Sequence, residues 1–90
     1  MSLSIMELKQ ARDTIATLLD ELKLDAYLFE VEPREGQWEI NIECALDEGW
    51  ERFKLSASEE YLIHGKDDAV LHEFLLEVWR DALRECKLKD

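Results

Sequence analysis

Residues 27–57 read YLFEVEPREGQWEINIECALDEGWERFKLSA, and the alternation of side chains within this stretch decides the fold. Apolar side chains recur at every second position in three runs, which is the period of a β-strand with one buried face. The apolar positions are Tyr27, Phe29 and Val31, then Trp38, Ile40, Ile42 and Cys44, then Phe53, Leu55 and Ala57. Turn-forming residues at 33–36 and 47–49 separate the runs. The pattern therefore predicts a three-stranded antiparallel meander.

Helical periodicity replaces this alternation on both sides of the strands. Apolar residues lie at positions 5, 8, 11, 15, 18, 19 and 22, and Ser4 with Glu7 forms a capping-box pattern before them. A second helical pattern runs from Val70 to Cys86, and residues 58–66 fit either an extended segment or a helical turn. We expect an α+β fold of order α-β-β-β-α, a two-layer sandwich with both helices on one sheet face, and residues 1–90 as a single domain.

Composition narrows the class of partner. The 90 residues are 47% hydrophobic, which suits a folded domain, and 22 acids against 11 bases give a net charge of −11. Nucleic acids and anionic membranes carry the same sign of charge, so neither is expected to bind directly. The sequence has no apolar run of membrane-spanning length and no signal-peptide pattern at its start, and we expect a cytoplasmic protein.

The chain has two cysteines, Cys44 and Cys86, far apart in the sequence and outside any CxxC pattern. A disulfide framework or a zinc site would require more ligands. Both cysteines fall at apolar positions of their elements, and an unpaired cysteine usually behaves as a small hydrophobic residue. The sequence therefore predicts two buried free thiols.

Negative charge is concentrated in residues 20–51, which hold eleven acids and two bases. Matching the apolar faces of the strands predicts Phe29 opposite Ile40 and Cys44 opposite Phe53. The outer face would then carry Glu30, Glu32, Glu39 and Glu43, with Glu30 opposite Glu39 and Glu43 opposite Lys54. This acidic face is interpreted either as a solvated surface that maintains solubility or as a docking face for a basic partner.

The last predicted helix has an apolar arc that is wider than packing on one sheet would bury. Its centre, near Leu71, Leu75, Val78 and Ala82, is expected to pack on the sheet, and one flank carries His72, Leu76, Trp79 and Leu83. Either the first helix covers this flank, or the flank is exposed and forms a homodimer or partner interface. Arg12 falls within the apolar arc of the first helix, where it either lies along a rim or forms an interface ion pair.

No group of residues indicates catalysis. His64 and His72 have acids nearby, but their spacing does not force the side chains to converge on a metal ion. Cys44 is expected to face the core, away from any substrate, and the glycines lie at predicted turns and not in a phosphate-binding loop. We expect no enzymatic activity, no metal and no cofactor.

Two family resemblances follow from the element order and the composition. The α-β-β-β-α order resembles that of double-stranded-RNA-binding domains, whose second helix begins with phosphate-binding basic residues. Lys66, Asp67 and Asp68 occupy that place here, so the resemblance implies topology without RNA binding. The small size, acidity and amphipathic last helix are similar to bacterial type III secretion chaperones, which form acidic homodimers. That family continues with two further strands and a helix, which these 90 residues do not supply.

The expected function is that of a small acidic protein-interaction module. We expect it to form a homodimer through the flank of the last helix and to present its acidic face to a basic protein. The alternatives are an acidic chaperone similar to the secretion chaperones, and an acidic mimic that blocks the nucleic-acid site of a basic protein.

Overall fold

The computed structural model describes residues 5–89 and confirms the predicted α+β order. The elements are α1 (Ile5–Glu21), β1 (Tyr27–Arg34), β2 (Gln37–Ala45), β3 (Trp50–Ser58), α2 (Glu59–His64) and α3 (Ala69–Ala82). The sheet has the order β1-β2-β3 and is antiparallel throughout. The ambiguous segment 58–66 is thus mostly helical. The capping box proposed for Ser4 lies outside the described residues.

One face of the sheet is buried, as the alternation predicts. The inward residues of β2 are fully buried, whereas those of β1 and β3 are partly buried at the two edges. The β2 residues on this face are Trp38, Ile40, Ile42 and Cys44. They belong to one apolar cluster with buried residues of all three helices, including Ile15, Leu62 and Trp79. That both terminal helices cover this single face stays a prediction.

The first hairpin turns through two residues, which makes its ladder longer than the sequence pattern suggests. Glu35 and Gly36 have φ angles of 45° and 82°, and a type I′ turn requires positive φ at both central positions. Arg34 therefore pairs with Gln37, and Pro33 belongs to β1 and not to the turn. An edge strand tolerates proline because the missing N–H can be one that no neighbouring strand needs.

The predicted registers of both hairpins are wrong by two residues. The observed pairs are Phe29 with Ile42 and Cys44 with Glu51, where the prediction has Phe29 with Ile40 and Cys44 with Phe53. In the second hairpin the physical reason is a four-residue loop, 46–49, that joins Ala45 to Trp50. A shift of two residues keeps every side chain on its own face. The buried face was therefore predicted correctly although the pairs across it were not.

The start of α3 is set by local chemistry and by close packing. The Asp68 side chain accepts hydrogen bonds of 3.1 Å from the backbone N–H groups of Val70 and Leu71, which is the N-cap arrangement. Gly65 lies before this cap with no room for a side chain, because a Cβ atom there would lie 2.9 Å from Leu75 Cδ1 of α3 and 3.3 Å from Thr14 Cγ2 of α1. This glycine permits the close approach of α2 to the remainder of the core.

Cys44 and Cys86 form a disulfide, so the prediction of two free thiols is wrong. Both cysteines face the core as predicted, and the fold brings together two apolar positions that are 42 residues apart in the sequence. The bond ties the segment that follows α3 to the end of β2. In the same segment the Lys87 N–H donates to the Ala45 carbonyl at 2.8 Å, and the Lys87 carbonyl accepts from the Asp25 N–H at 2.8 Å. The C-terminal segment is thus an integral part of the fold.

Candidate functional site

The flank of α3 predicted as an interface lies in the core of the single chain. Leu76, Trp79 and Leu83 are only 7%, 1% and 2% exposed. The expectation that this flank is exposed is therefore wrong. The buried direction of α3 is rotated by roughly 80° about the helix axis from the one assumed in the sequence reasoning. Burial of the large indole of Trp79 in the core cluster favours this rotation, because apolar area removed from water dominates the packing energy.

His72, the fourth residue of that flank, is also held within the chain. Its Nδ1 lies 3.1 Å from the Gly65 carbonyl oxygen, and its Nε2 contacts the carboxylate of Glu21. The imidazole therefore joins the end of α1 to the segment before α3. Both ring nitrogens have partners within the chain, so neither is directed at a metal ion or a partner protein.

The rotation of α3 exposes a different set of apolar side chains. Val70, Phe74 and Val78 are 81%, 50% and 46% exposed, and they follow one another at four-residue intervals along one side of the helix. Tyr61 of α2 is 39% exposed and packs edge-to-face on Phe74, with 6.1 Å between ring centroids. We call these four residues the α3 stripe. Periodicity did not reveal this stripe, because Val78 was expected to pack on the sheet and Val70 and Phe74 were given no separate role.

A line of acids runs beside the α3 stripe. Glu73, Glu77 and Asp81 are exposed and also recur at four-residue intervals; we call them the acidic row. Within residues 5–89 no ion pair involves Glu73 or Glu77, and Asp81 has only the exposed Arg84, at 3.5 Å. The paired spacing of apolar residues at 70, 74 and 78 and acids at 73, 77 and 81 was a sequence signal that could have located this surface.

The four predicted acidic-face residues do share the outer face of the sheet, but they share it with bases. Glu30, Glu32, Glu39 and Glu43 alternate there with Arg34, Arg52 and Lys54. This face is thus of mixed sign, and its acids do not form a uniformly negative surface.

The cross-strand charges differ from those predicted because the registers differ. Glu32, and not Glu30, lies opposite Glu39, and Arg34 Nη2 lies 3.4 Å and 3.6 Å from these two carboxylates. Lys54 Nζ lies 3.1 Å from Glu39 as well. These two bases therefore reduce the repulsion between Glu32 and Glu39.

Glu43 lies opposite Arg52 and not opposite Lys54 as predicted. Its Oε1 is 2.8 Å from Arg52 Nη2. Exposed pairs of this kind contribute little to stability, but they leave the outer face with little unpaired negative charge to attract a basic partner.

Arg12 contacts its own chain. Its guanidinium carbon lies 5.5 Å from the centroid of the Phe29 ring, within the range of a cation–π contact. Arg12 is exposed and Phe29 is half-buried, so the guanidinium lies over a partly buried ring of the edge strand β1. This contact accounts for a charge inside the apolar arc of α1 without a second subunit.

The described residues offer no arrangement typical of a metal centre or a membrane span. Among residues 5–89, no three His, Cys, Asp or Glu side chains are grouped so as to hold a metal ion. In the same part of the chain, every helix is too short or too polar to cross a bilayer.

Comparison with known proteins finds no matching family model, no similar curated protein and no similar solved structure. Neither of the two family resemblances is therefore supported by a match.

Proposed function

We propose that this chain is a small protein-interaction module that binds a basic partner through the α3 stripe and the acidic row. The observation that carries the proposal is the exposure of Val70, Phe74 and Val78 on one side of a helix whose other side is fully packed. The fold of the single chain gives no reason for these three apolar side chains to share one exposed side of the helix. A contiguous apolar patch beside charged residues is typical of a protein-binding surface.

The net negative charge of the chain favours a partner with positive charge. A net charge of −11 repels acidic proteins and nucleic acids, and it speeds association with a basic surface. This assignment keeps the predicted basic partner but moves the contact from the sheet to α3, because Glu32, Glu39 and Glu43 of the sheet already have bases beside them.

Binding to synthetic polymers tests the proposal directly. We expect a random lysine–leucine copolymer to bind the protein, and both poly-lysine and a glutamate–leucine copolymer to bind more weakly. Phe74→Asp should weaken the binding of the lysine–leucine copolymer. Leu28→Asp is the matched control, because Leu28 is 64% exposed on the outer sheet face and the charge change is the same. Equal effects of the two substitutions would contradict the proposal.

Solution mass, measured by light scattering at low and high salt, tests the predicted homodimer. A monomer at both salts is expected if the α3 stripe serves another protein. A dimer that Phe74→Asp dissociates would make the stripe a self-interface and overturn the proposal of a basic partner.

The cytoplasmic location stays a prediction, and the disulfide weighs against it. Disulfides persist mainly in oxidising compartments. Alkylation under denaturing conditions, after rapid acid quenching of the host cells, exposes both buried positions to the reagent and distinguishes the two cases. Modification of both Cys44 and Cys86 would support the cytoplasm, and protection of both would support an oxidising compartment.

A further inference from the structure

We infer that the partner segment is a cationic amphipathic α-helix that lies along α3. The inference rests on the proposed function and adds the conformation of the bound segment and the pattern of its side chains. Apolar side chains of the segment would cover the α3 stripe, and its lysines or arginines would pair with the acidic row.

The geometry of the two rows indicates a helix and not an extended strand. Successive members of each row are four residues apart, about 6 Å along the helix axis. The rows lie side by side, separated by roughly 60° around α3, so the surface is two side chains wide. One face of a β-strand presents a single line of side chains. A helix presents an arc of 100° or more, enough for an apolar row and a basic row together.

Charge argues against a second copy of this chain as the occupant. A two-fold interface uses the same patch on both subunits. Two copies joined through the α3 stripe would therefore bring two acidic rows into one interface, each with Glu73, Glu77 and Asp81. Like charges across an interface disfavour association. A segment with lysines or arginines at the matching positions gains attraction at the same sites.

Two acids of the acidic row are better prepared for such pairing than the paired acids of the sheet. On the sheet, Glu39 has Arg34 and Lys54 within 3.6 Å, and Glu43 has Arg52 at 2.8 Å. On α3, Glu73 and Glu77 form no ion pair within residues 5–89, and both are exposed. A basic partner therefore displaces no existing ion pair of these two residues.

Three designed peptides of about 18 residues, long enough to form a helix on binding, test the inference. The first has leucine and lysine at helical spacing, the second has the same composition in scrambled order, and the third has glutamate in place of lysine. We expect the first to bind at least about tenfold more tightly than the other two and to gain helical circular dichroism when bound. Its amide resonance perturbations should map to residues 70–81.

Charge reversal gives the matched variants. Glu77→Lys should weaken binding of the first peptide by roughly tenfold and reduce its salt dependence. Glu30→Lys, the same change at an exposed sheet position, should leave the affinity within about twofold. Equal affinity for ordered and scrambled peptides, or equal effects of the two reversals, would overturn the inference.

Failure of this inference is distinguishable from failure of the proposed function. If Phe74→Asp abolishes binding of ordered and scrambled lysine–leucine peptides alike, the α3 stripe is a binding surface and only the helical partner is wrong. If Phe74→Asp and Leu28→Asp act alike on every peptide, both proposals are wrong.

Discussion

The hydroxyl of Thr14 lies 2.6 Å from the backbone carbonyl oxygen of Leu62 and donates a hydrogen bond to it. Thr14 is fully buried on α1, and Leu62 is fully buried on α2, so this bond joins two helices inside the apolar cluster. A buried carbonyl without a partner costs more than the bond itself contributes. The Thr14 hydroxyl therefore helps to hold α2 against α1, and Tyr61 of the α3 stripe belongs to that helix.

Removal of this hydroxyl should destabilise the fold measurably. Thr14→Val retains the side-chain shape and leaves the Leu62 carbonyl unsatisfied, so we expect the free energy of unfolding to fall by about 1–3 kcal/mol. Urea denaturation measures the change. Thr17→Val is the matched control, because the Thr17 hydroxyl bonds only to Asp13 of its own helix, at 2.9 Å. A Thr14→Val protein as stable as the control would show that the interhelical bond contributes nothing.

Reduction of the disulfide should lower stability by more than any single contact. The Cys44–Cys86 bond closes a loop with a sequence separation of 42, and loop-closure entropy in the unfolded chain corresponds to about 4 kcal/mol. Denaturation with and without a dithiol reductant measures the difference. Cys44→Ala/Cys86→Ala is the control, because its unfolding should not respond to reductant. An unchanged curve for the wild-type protein on reduction would mean that the bond is absent in solution.

Aspartate substitutions on the two sides of α3 should have opposite consequences. Trp79 is 1% exposed within the core cluster, so Trp79→Asp buries an unpaired charge and should prevent cooperative folding. Phe74 is half exposed, so Phe74→Asp should keep the fold and change stability by about 1 kcal/mol or less. Circular dichroism during thermal unfolding checks both. A folded Trp79→Asp protein would restore the flank of Leu76, Trp79 and Leu83 as an interface.

The Tyr27 hydroxyl should ionise at higher pH than an ordinary tyrosine. Partial burial raises the pKa of Tyr27 above 10.0, and the hydrogen bond to the Asp20 carboxylate, at 2.9 Å, raises it further. The folded state thus favours the protonated phenol, and this contribution to stability is present below pH 10 and is lost as the pH rises through the raised value. Ultraviolet titration measures the ionisation of Tyr27. Asp20→Asn should move the Tyr27 transition to lower pH, and an unmoved transition would contradict the role of the carboxylate.

The prediction of the candidate site failed at one specific step, the direction in which α3 faces the core. The arc of α3 contains more apolar residues than one contact buries, so periodicity alone allows more than one rotation of the helix. Val78 and Trp79 are adjacent in sequence, and only one of them can face the core. Trp79 is buried, and Val78 is 46% exposed. Which of them packs inward depends on the shape of the surface formed by α1 and the sheet, and that surface is built from residues distant in sequence.

The sequence by itself determined the three strands, their buried face and the existence of the two long helices, because these depend on neighbours within a few residues. Alternation identified the three strands and their buried side, and helical periodicity identified α1 and α3. Only the tertiary structure decided the strand registers, the rotation of α3 and the pairing of Cys44 with Cys86. Each of these depends on how distant segments meet. The exposed α3 stripe is a consequence of that packing, and for this reason the proposed binding surface could be recognised only in the folded chain.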